Sequence, residues 1–264
     1  MKVLVLGASG MLGHRVAKTL SDLELIAPTR QEYNAFDSLD KYLLTNHDWI
    51  VNCIGAIPQK GKDADEMKRI NADFPSWLAH KTKARIIQIA TDCAYSGYTG
   101  NYNELSLRDA RDGYGMTKIM GEGIAAMRLR CSIIGSELTA KKSLFEWVKN
   151  QPEGATIKGY INHHWNGITT DAFAKIVRGI IKKDTYHNFI QHVIPANQVT
   201  KYELIKLITQ RLGRTDIEVI PTIAEPVNRT LTTFFPDINK KLWNYADYRY
   251  PPTIEKLVEE MAVD

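Results

Sequence analysis

The sequence has few of the features that mark secreted, membrane or nucleic-acid-binding proteins. It contains only three cysteines in 264 residues. These cysteines (Cys53, Cys93 and Cys131) lie far apart and form no metal-ligand pair, so we expect buried free thiols and predict no metal site. No apolar run approaches the roughly 20 residues that span a bilayer. The net charge of +4 is small and scattered, which argues against a nucleic-acid partner.

No secretory pattern precedes the first apolar segment, because Met1–Leu6 is already strand-like. We therefore expect a soluble cytoplasmic protein with no membrane partner. Hydrophobic residues make up 44% of the chain and charged residues 24%, as in ordinary globular proteins. The length suits one large domain, or a main domain with a smaller lobe, whose core needs neither disulfides nor metals.

Short apolar runs alternate with helical patterns in the first half of the chain. The predicted strands are Lys2–Leu6, Leu23–Pro28, Trp49–Ile54, Ile86–Ala90 and Ala126–Ser132. The predicted helices between them are Met11–Ser21, Leu39–Thr45, Asp65–Lys83 and Tyr114–Ala125. This alternation indicates right-handed βαβ crossovers, and continuously apolar strands indicate a sheet covered on both faces. The predicted fold class is α/β, a Rossmann-type doubly wound parallel sheet with helices on both faces.

The alternation loosens after about residue 135. Helices are predicted there at Ser143–Lys149, Asp171–Lys182, Lys201–Leu212 and Thr253–Met261, with a short strand at Ile217–Pro221. We expect residues 1–135 to form the Rossmann domain. Residues 136–264 are expected to form a smaller C-terminal α/β lobe beside the carboxyl edge of the sheet, with some chain crossing back to the sheet.

A glycine-rich loop joins the first predicted strand to the first predicted helix. It reads Gly7-Ala8-Ser9-Gly10-Met11-Leu12-Gly13. Gly7 permits a tight turn, Gly10 lets the backbone approach a pyrophosphate, and Gly13 lets the helix pack closely on the strand. Glycine spacing alone is a weak signal, but here the strand and the helix stand in the required places. The loop therefore predicts a dinucleotide-binding site in residues 1–135.

The segment after the second strand favours NADP(H) over NAD(H). It has no acidic residue for a ribose 2′-hydroxyl, whereas Arg30 suits a 2′-phosphate, with Arg15 in an assisting position. Asp37 is expected at the adenine edge. The ribose pocket is expected to be formed by Cys53, Ile54, Gly55 and Ala56, although these assignments fit ordinary loop roles equally well. NADP(H) is the predicted cofactor, and NAD(H) stays open.

A tyrosine and a lysine four residues apart form the predicted catalytic pair. Tyr114 and Lys118 project from one face of a helix. A nearby ammonium and a positive nicotinamide ring are expected to lower the phenol pKa, so that Tyr114 donates a proton during carbonyl reduction. Lys118 is also expected to bond the nicotinamide ribose. Thr91 ends an apolar strand, where doubly wound folds place ligand groups, and its hydroxyl either binds the substrate oxygen or caps the next turn.

These motifs resemble the extended short-chain dehydrogenase/reductase superfamily. Within it, the chain is similar to the dTDP-4-dehydrorhamnose reductase-like, sugar-nucleotide-binding branch. The resemblance rests on the glycine loop, Thr91-Asp92, Tyr114 with Lys118, Gly121-Glu122, Asn71, residues 130–135 and residues 225–229. It covers essentially the whole chain and is clearer before residue 135.

The resemblance implies a two-lobed NADP-dependent enzyme that reduces a nucleotide-linked 4-keto-6-deoxy sugar, in surface polysaccharide or deoxysugar biosynthesis. The cofactor would lie on the N-terminal sheet, next to Ala90, and the C-terminal lobe would hold the nucleotide-sugar. Asp92, Cys93, Trp165 and Arg229 are the expected substrate contacts. For Trp165 a covering role, and for Arg229 a surface salt bridge, stay equally open. A homodimer also stays open.

Two departures from the family pattern keep other functions open. The family commonly has Tyr-Val-Phe where this chain has Cys93-Ala94-Tyr95, and threonine where it has Cys131. Cys93 suggests a combined epimerase and reductase, but the stretch in which the related enzymes carry a partner histidine has none here. A non-catalytic NADP-binding regulatory subunit is a third hypothesis. The loop 163–170 matches the branch only loosely, which leaves the sugar unidentified.

Overall fold

The computed structural model describes residues 1–29, 32, 45–139 and 141–263. Its strands are β1 (Lys2–Leu6), β2 (Glu24–Ile26), β3 (Trp49–Asn52), β4 (Arg85–Thr91), β5 (Met127–Cys131), β6 (Ile133–Ile134), β7 (Thr156–Tyr160), β8 (His163–Trp165), β9 (Ile168–Thr169), β10 (Ile190–His192), β11 (Val199–Thr200), β12 (Glu218–Thr222) and β13 (Val227–Asn228). Its α-helices are α1 (Gly13–Thr19), α2 (Ala64–Lys68), α3 (Phe74–Lys81), α4 (Gly113–Met120), α5 (Leu144–Lys149), α6 (Thr170–Lys182), α7 (Lys201–Arg211), α8 (Pro236–Tyr245) and α9 (Ile254–Glu260).

A parallel sheet of six strands organises the described part of the chain. The strand order is β10-β5-β4-β3-β1-β2, and each neighbouring pair runs parallel. This order, with β1 beside β3 and the chain then moving outward in both directions, is the doubly wound arrangement. The register pairs Leu6 with Asn52, Asn52 with Gln88 and Thr91 with Cys131. The carboxyl ends of the central strands therefore meet at one edge of the sheet.

Alternate residues of the strands face opposite helical layers. Val3 and Val5 pack in a cluster with residues of α1, α6 and α8, whereas Leu4 and Leu6 pack with residues of α3. Both sets are fully buried. Because side chains alternate across a strand, this two-sided burial explains why the strands read as continuous apolar runs. The predicted α/β class with helices on both faces is confirmed.

A second hydrophobic cluster lies in the later part of the chain. It gathers apolar side chains of α5, α7 and α9 with residues from β6, β7 and β8. Two late elements belong instead to the first part of the fold. Strand β10 joins the main sheet by pairing with β5, and helix α6 packs in the core against that sheet. The division at residue 135 stays a prediction. No helix within the described ranges combines the length and apolarity needed to cross a membrane.

Two predicted helices differ from the observed ones. The helix predicted over Asp65–Lys83 is found from Ala64 to Lys81, but a π-helical turn at Arg69–Asp73 divides it into α2 and α3. The helix predicted to reach Ala125 ends at Met120. Apart from its last residue, the predicted helix Leu39–Thr45 lies outside the described residues. The remaining strands and helices named above begin and end within one to three residues of their predicted bounds.

A buried ion pair ties the end of α4 to β5. The Arg130 guanidinium donates to the Glu122 carboxylate at 2.5 Å and to the Tyr95 hydroxyl at 2.6 Å. Arg130 is 1% exposed and Glu122 2%. Arg108 donates to the same carboxylate oxygen at 3.0 Å. Removing one member of a buried pair leaves an uncompensated charge, which costs more than the pair contributes.

We predict that Arg130→Met destabilises the protein by about 3–5 kcal/mol, because Glu122 loses its buried partner. The double variant Glu122→Met/Arg130→Met is expected to recover much of that loss, since it buries no charge. Urea denaturation followed by circular dichroism measures both effects.

The matched control is Lys182→Met, which breaks the exposed pair with Asp22 and should cost less than about 1 kcal/mol. Equal losses in the free energy of unfolding for Arg130→Met and Lys182→Met would show that breaking the buried pair costs no more than breaking an exposed one.

Candidate functional site

A cleft of about 430 Å³ opens at the carboxyl edge of the sheet. It brings together residues that are distant in sequence but were predicted to form one site. Those that line the cleft are Gly10, Met11, Leu12, Cys53, Ile54, Gly55, Ala90, Thr91, Asp92, Cys93, Tyr114, Lys118 and Trp165. The parallel register explains the convergence, because the loops after β1, β3 and β4 leave the sheet side by side.

The glycine loop has the close backbone contacts expected from its sequence. Gly7 has a φ of +79°, which favours glycine, and a Cβ on Gly13 would lie 2.0 Å from the Gly7 carbonyl oxygen. Gly7, Ser9, Gly13 and Ala56 adjoin the cleft in the chain but do not line it. The loop therefore presents its backbone to the cleft through the Gly10–Leu12 segment.

Of the three residues predicted to contact the adenosine end of the cofactor, the structure describes only Arg15. Arg30 and Asp37 lie outside the described residues. Arg15 is 2% exposed, pairs with Asp171 at 3.5 Å and donates to the Ser136 hydroxyl at 3.2 Å. These bonds join α1 to later parts of the chain, and the assistance of Arg15 at a 2′-phosphate stays a prediction.

Asn71 connects the loop after β3 to α4. Its side-chain oxygen accepts from the Ala56 amide at 2.9 Å, and its side-chain nitrogen donates to the Ala56 carbonyl at 2.9 Å and to the Thr117 hydroxyl at 3.1 Å. Asn71 is 2% exposed and lies in the π-helical turn. A Cβ on Gly121 would lie 1.9 Å from the Asn71 carbonyl oxygen. Only glycine lets the end of α4 approach this turn so closely.

Helix α4 presents the predicted catalytic pair. The Asp112 carboxylate caps its start by accepting from the Gly115 amide at 2.8 Å. Lys118 is 6% exposed and its ammonium donates to the Ile89 carbonyl at 3.1 Å. Tyr114, one turn earlier, is half-buried at the cleft. The two side chains lie on the same wall, as their spacing predicts.

Burial dominates the protonation of both members of the pair. It raises the pKa of the Tyr114 phenol above its usual value, and the Thr91 hydroxyl opposes this by favouring the phenolate. The expected lowering of the Tyr114 pKa by Lys118 is not observed in the protein alone. Burial also lowers the pKa of Lys118, while the Glu122 carboxylate favours the charged form. The Tyr114 phenol therefore keeps its proton near neutral pH.

The Thr91 hydroxyl caps the next turn at the cleft, and its contact with a substrate oxygen stays a prediction. Thr91 is 9% exposed and lines the cleft beside Tyr114. The hydroxyl also accepts from the Cys93 amide at 3.1 Å and donates to the Asp92 carboxylate at 3.3 Å, so it caps the short turn after β4. These local bonds orient the hydroxyl without removing it from the cleft.

All three cysteines reach this cleft as free thiols. Burial and the adjacent Asp92 carboxylate raise the pKa of the Cys93 thiol to about 12. Burial likewise raises the pKa of Cys53 to about 12 and that of Cys131 well above its usual value. The thiols are therefore neutral at physiological pH. No group of three or more His, Cys, Asp or Glu side chains in the described ranges is arranged to hold a metal ion.

The predicted substrate contacts differ in how they face the cleft. Trp165 is 4% exposed, donates to the Ser132 hydroxyl at 2.9 Å and forms part of the wall. Arg229 instead donates to the Tyr95 carbonyl at 2.9 Å and lies 3.7 Å from the Asp112 carboxylate. The described structure therefore gives Arg229 a salt bridge near the start of α4.

Sequence reasoning missed several residues of the wall. They are Ile57, Gln59, Ile89, Cys131, Ser132, Ile133, Ile134, Glu137, Lys142, Ser143, Leu144 and Lys201. Among them, Lys201 comes from the distant helix α7, and its ammonium lies 5.4 Å from the centre of the Trp165 ring. The capping box of Thr200 and Glu203 marks the start of α7 in the sequence. It gives no sign that this helix begins at the cleft.

Comparisons with known proteins agree with this architecture. A dTDP-4-dehydrorhamnose reductase from Clostridium acetobutylicum is similar with a TM-score of 0.77 and 21% identity, over 99% of this chain and 98% of that chain. Its counterpart from Bacillus anthracis, solved with NADP, gives a TM-score of 0.82 and 16% identity, over 98% of both chains. A UDP-glucuronic acid 4-epimerase from Bacillus cereus, solved with NAD, gives 0.70 and 18%, over 99% and 95%.

The curated proteins contain no sequence match to the chain. The family profile of the RmlD substrate binding domain, however, matches residues 1–136, which is more than half of the 264 residues. The solved structures share the fold over nearly the whole chain. The chain therefore belongs to the RmlD substrate binding domain family, as its resemblance to the dTDP-4-dehydrorhamnose reductase-like branch predicted.

Proposed function

We propose that the protein is a cytoplasmic NADP(H)-dependent reductase of a nucleotide-linked 4-keto-6-deoxy sugar, acting in surface polysaccharide or deoxysugar biosynthesis. The observation that carries this proposal is the meeting of Thr91, Tyr114 and Lys118 with the glycine loop in one cleft. Family membership and the reductases named above support the same reaction. Residues 1–135 would hold the cofactor and residues 136–264 most of the substrate.

The glycine loop and the β3 end fit a dinucleotide. A Cβ on Gly13 would collide with the Gly7 carbonyl, whereas one on Gly10 would meet only that carbonyl oxygen at 3.2 Å, so the Gly10 backbone is open to the approach of a phosphate. Residues that would hold the cofactor are Gly10, Met11, Leu12, Cys53, Ile54, Gly55, Ala90, Tyr114 and Lys118. A bound reduced nicotinamide supplies hydride to the carbonyl carbon of the sugar.

Three side chains of this chain would handle the carbonyl oxygen and its proton. Thr91 would turn its hydroxyl from the Asp92 carboxylate to donate a hydrogen bond to the oxygen, which orients the oxygen toward Tyr114. The neutral Tyr114 phenol would then transfer its proton to that oxygen as negative charge develops. The Lys118 ammonium, less than a tenth exposed, would favour the resulting phenolate together with the positive nicotinamide ring, an effect that the protein alone does not show. Burial of the site strengthens these electrostatic interactions.

The proposed cofactor preference is for NADP(H) over NAD(H). The reductase from Bacillus anthracis was solved with NADP and the epimerase from Bacillus cereus with NAD. The missing acidic residue after β2 supports NADP(H), and Arg30 is the proposed partner of the 2′-phosphate.

The other two hypotheses fit the site less well. An epimerase needs a base that removes a carbon-bound proton, but the Cys93 thiol has a pKa of about 12 and is neutral. A regulatory cofactor binder needs no proton donor, yet Thr91, Tyr114 and Lys118 are all present at the cleft. We therefore favour the simple reductase.

We predict that Tyr114→Phe lowers kcat by about 10²–10⁴-fold, because the proton donor is lost while the ring remains. NADPH binding should be unchanged, since the phenyl ring fills the same space. NADPH oxidation with dTDP- or UDP-linked 4-keto-6-deoxyglucose measures turnover, and calorimetry measures cofactor binding.

Tyr98→Phe removes the same hydroxyl from a side chain that is 68% exposed, so it serves as the matched control and should keep full activity. If wild type binds NADPH but none of these sugars oxidises it, the proposed substrate class is wrong. If Tyr114→Phe turns over normally, its proposed role is wrong.

We also predict that Cys93→Ala keeps turnover within about threefold of wild type, because a neutral thiol has no required role in proton delivery to oxygen. In deuterated water the product should carry no deuterium at C3 or C5. Mass spectrometry and NMR of the product measure this. Label at either carbon in the wild type, lost in Cys93→Ala, would establish the epimerase instead.

A further inference from the structure

Lys201 occupies the boundary between two cavities. It is the first residue of α7 and lines the catalytic cleft of about 430 Å³. It also lines an adjoining cavity of about 700 Å³, whose walls include Leu144, Trp147 and Tyr160. Leu144 is the other residue common to both cavities. A ligand that extends from one cavity into the other must pass the Lys201 side chain.

The position of this lysine is electrostatically unfavourable for the protein alone. A cation at the start of an 11-residue helix opposes the positive end of the helix dipole. Burial lowers the pKa of the Lys201 ammonium, and only the more distant Asp92 carboxylate and Cys93 favour the charged form. Over the residues that the structure describes, no carboxylate lies within ion-pair distance, and the contact found is with the Trp165 ring at 5.4 Å.

Lys118 and Arg229, the other buried or half-buried cations beside the cleft, already have partners, whereas Lys142, which also lines it, is exposed. The Lys118 ammonium donates to the Ile89 carbonyl. Arg229 donates to the Tyr95 carbonyl and lies 3.7 Å from the Asp112 carboxylate. Lys201 is thus a partly buried cation that faces the cleft without an anion of its own, and an anionic ligand group would supply one.

We propose that the Lys201 ammonium binds the diphosphate that links the sugar to its nucleoside. This inference rests on the proposed function, because only a nucleotide-sugar carries its anionic group between a reacting sugar and a nucleoside. The diphosphate would lie at the boundary of the two cavities, with the sugar beside Thr91 and Tyr114. Lys201 then selects nucleotide-linked keto-sugars over free ones.

Binding of nucleoside diphosphates tests this directly and needs no turnover. Calorimetric titrations of dTDP, UDP and GDP are made with saturating NADP⁺, which keeps the added diphosphate away from the glycine loop. Lys201→Met should weaken the tightest of these by about 10- to 100-fold, as expected for a lost charge-assisted hydrogen bond. Lys201→Arg keeps the charge and should retain most of the affinity.

Lys206→Met is the matched control. Lys206 lies on the same helix, is exposed, and its ammonium is 5.4 Å from the Tyr202 ring, so it makes the same kind of aromatic contact away from the cleft. This variant should bind as wild type does. Equal affinities for wild type, Lys201→Met and Lys206→Met would overturn the inference, as would a wild type that binds NADP⁺ but none of the three diphosphates. Failure to bind NADP⁺ would instead contradict the proposed function.

Thermal unfolding without ligand separates a binding role from a structural one. If Lys201 is retained for a ligand, Lys201→Met removes an uncompensated cation from a helix start, and Tm should rise by roughly 1–4 °C. If Lys201 mainly supports the fold, Tm should fall. A fall in Tm with unchanged diphosphate affinity would overturn the proposal.

Discussion

The hydrogen bonds of the Asn71 side chain are the contact on which the site depends. One amide group bonds both the donor and the acceptor of Ala56 and also the Thr117 hydroxyl. It thereby sets the distance between the loop after β3, which faces the proposed cofactor, and α4, which carries Tyr114 and Lys118. The π-helical turn places the amide, and Gly121 lets α4 come close enough to use it. Such turns inside helices are frequent at functional sites.

Burial decides the charge state of the site more than any single neighbour does. It raises the pKa values of Tyr114 and Cys93 and lowers that of Lys118. The result is a cleft in which the Tyr114 phenol and the Cys93 thiol are neutral. For carbonyl reduction this arrangement is favourable, because the donor holds its proton until charge develops on the substrate oxygen. The Glu122–Arg130 pair behind α4 helps Lys118 to remain charged, since its carboxylate is the strongest favourable influence on that ammonium.

Much of the architecture could be predicted because it follows from local rules. Apolar strands alternating with amphipathic helices imply a doubly wound sheet, and β4 or α6 were located nearly to the residue. The helix predicted over Asp65–Lys83 contains a π-helical turn that arises for a tertiary reason. Its periodicity is helical throughout, but the Asn71 bonds to another segment favour a wider turn in its middle. Likewise Arg15 looked available for a phosphate, and only the folded chain shows its ion pair with Asp171.

The sequence by itself determined the fold class, the glycine loop and the catalytic spacing, because each depends on residues that are neighbours in the chain or on one helix face. Only the tertiary structure decided which side chains share the cleft and how they are charged, since both depend on segments more than a hundred residues apart and on exclusion of water. Lys201 illustrates the difference. In sequence it is an ordinary lysine after a helix cap, and in the structure it faces Trp165 at the boundary of two cavities. Burial at the start of a helix, without an anion, is what gives that lysine a proposed role.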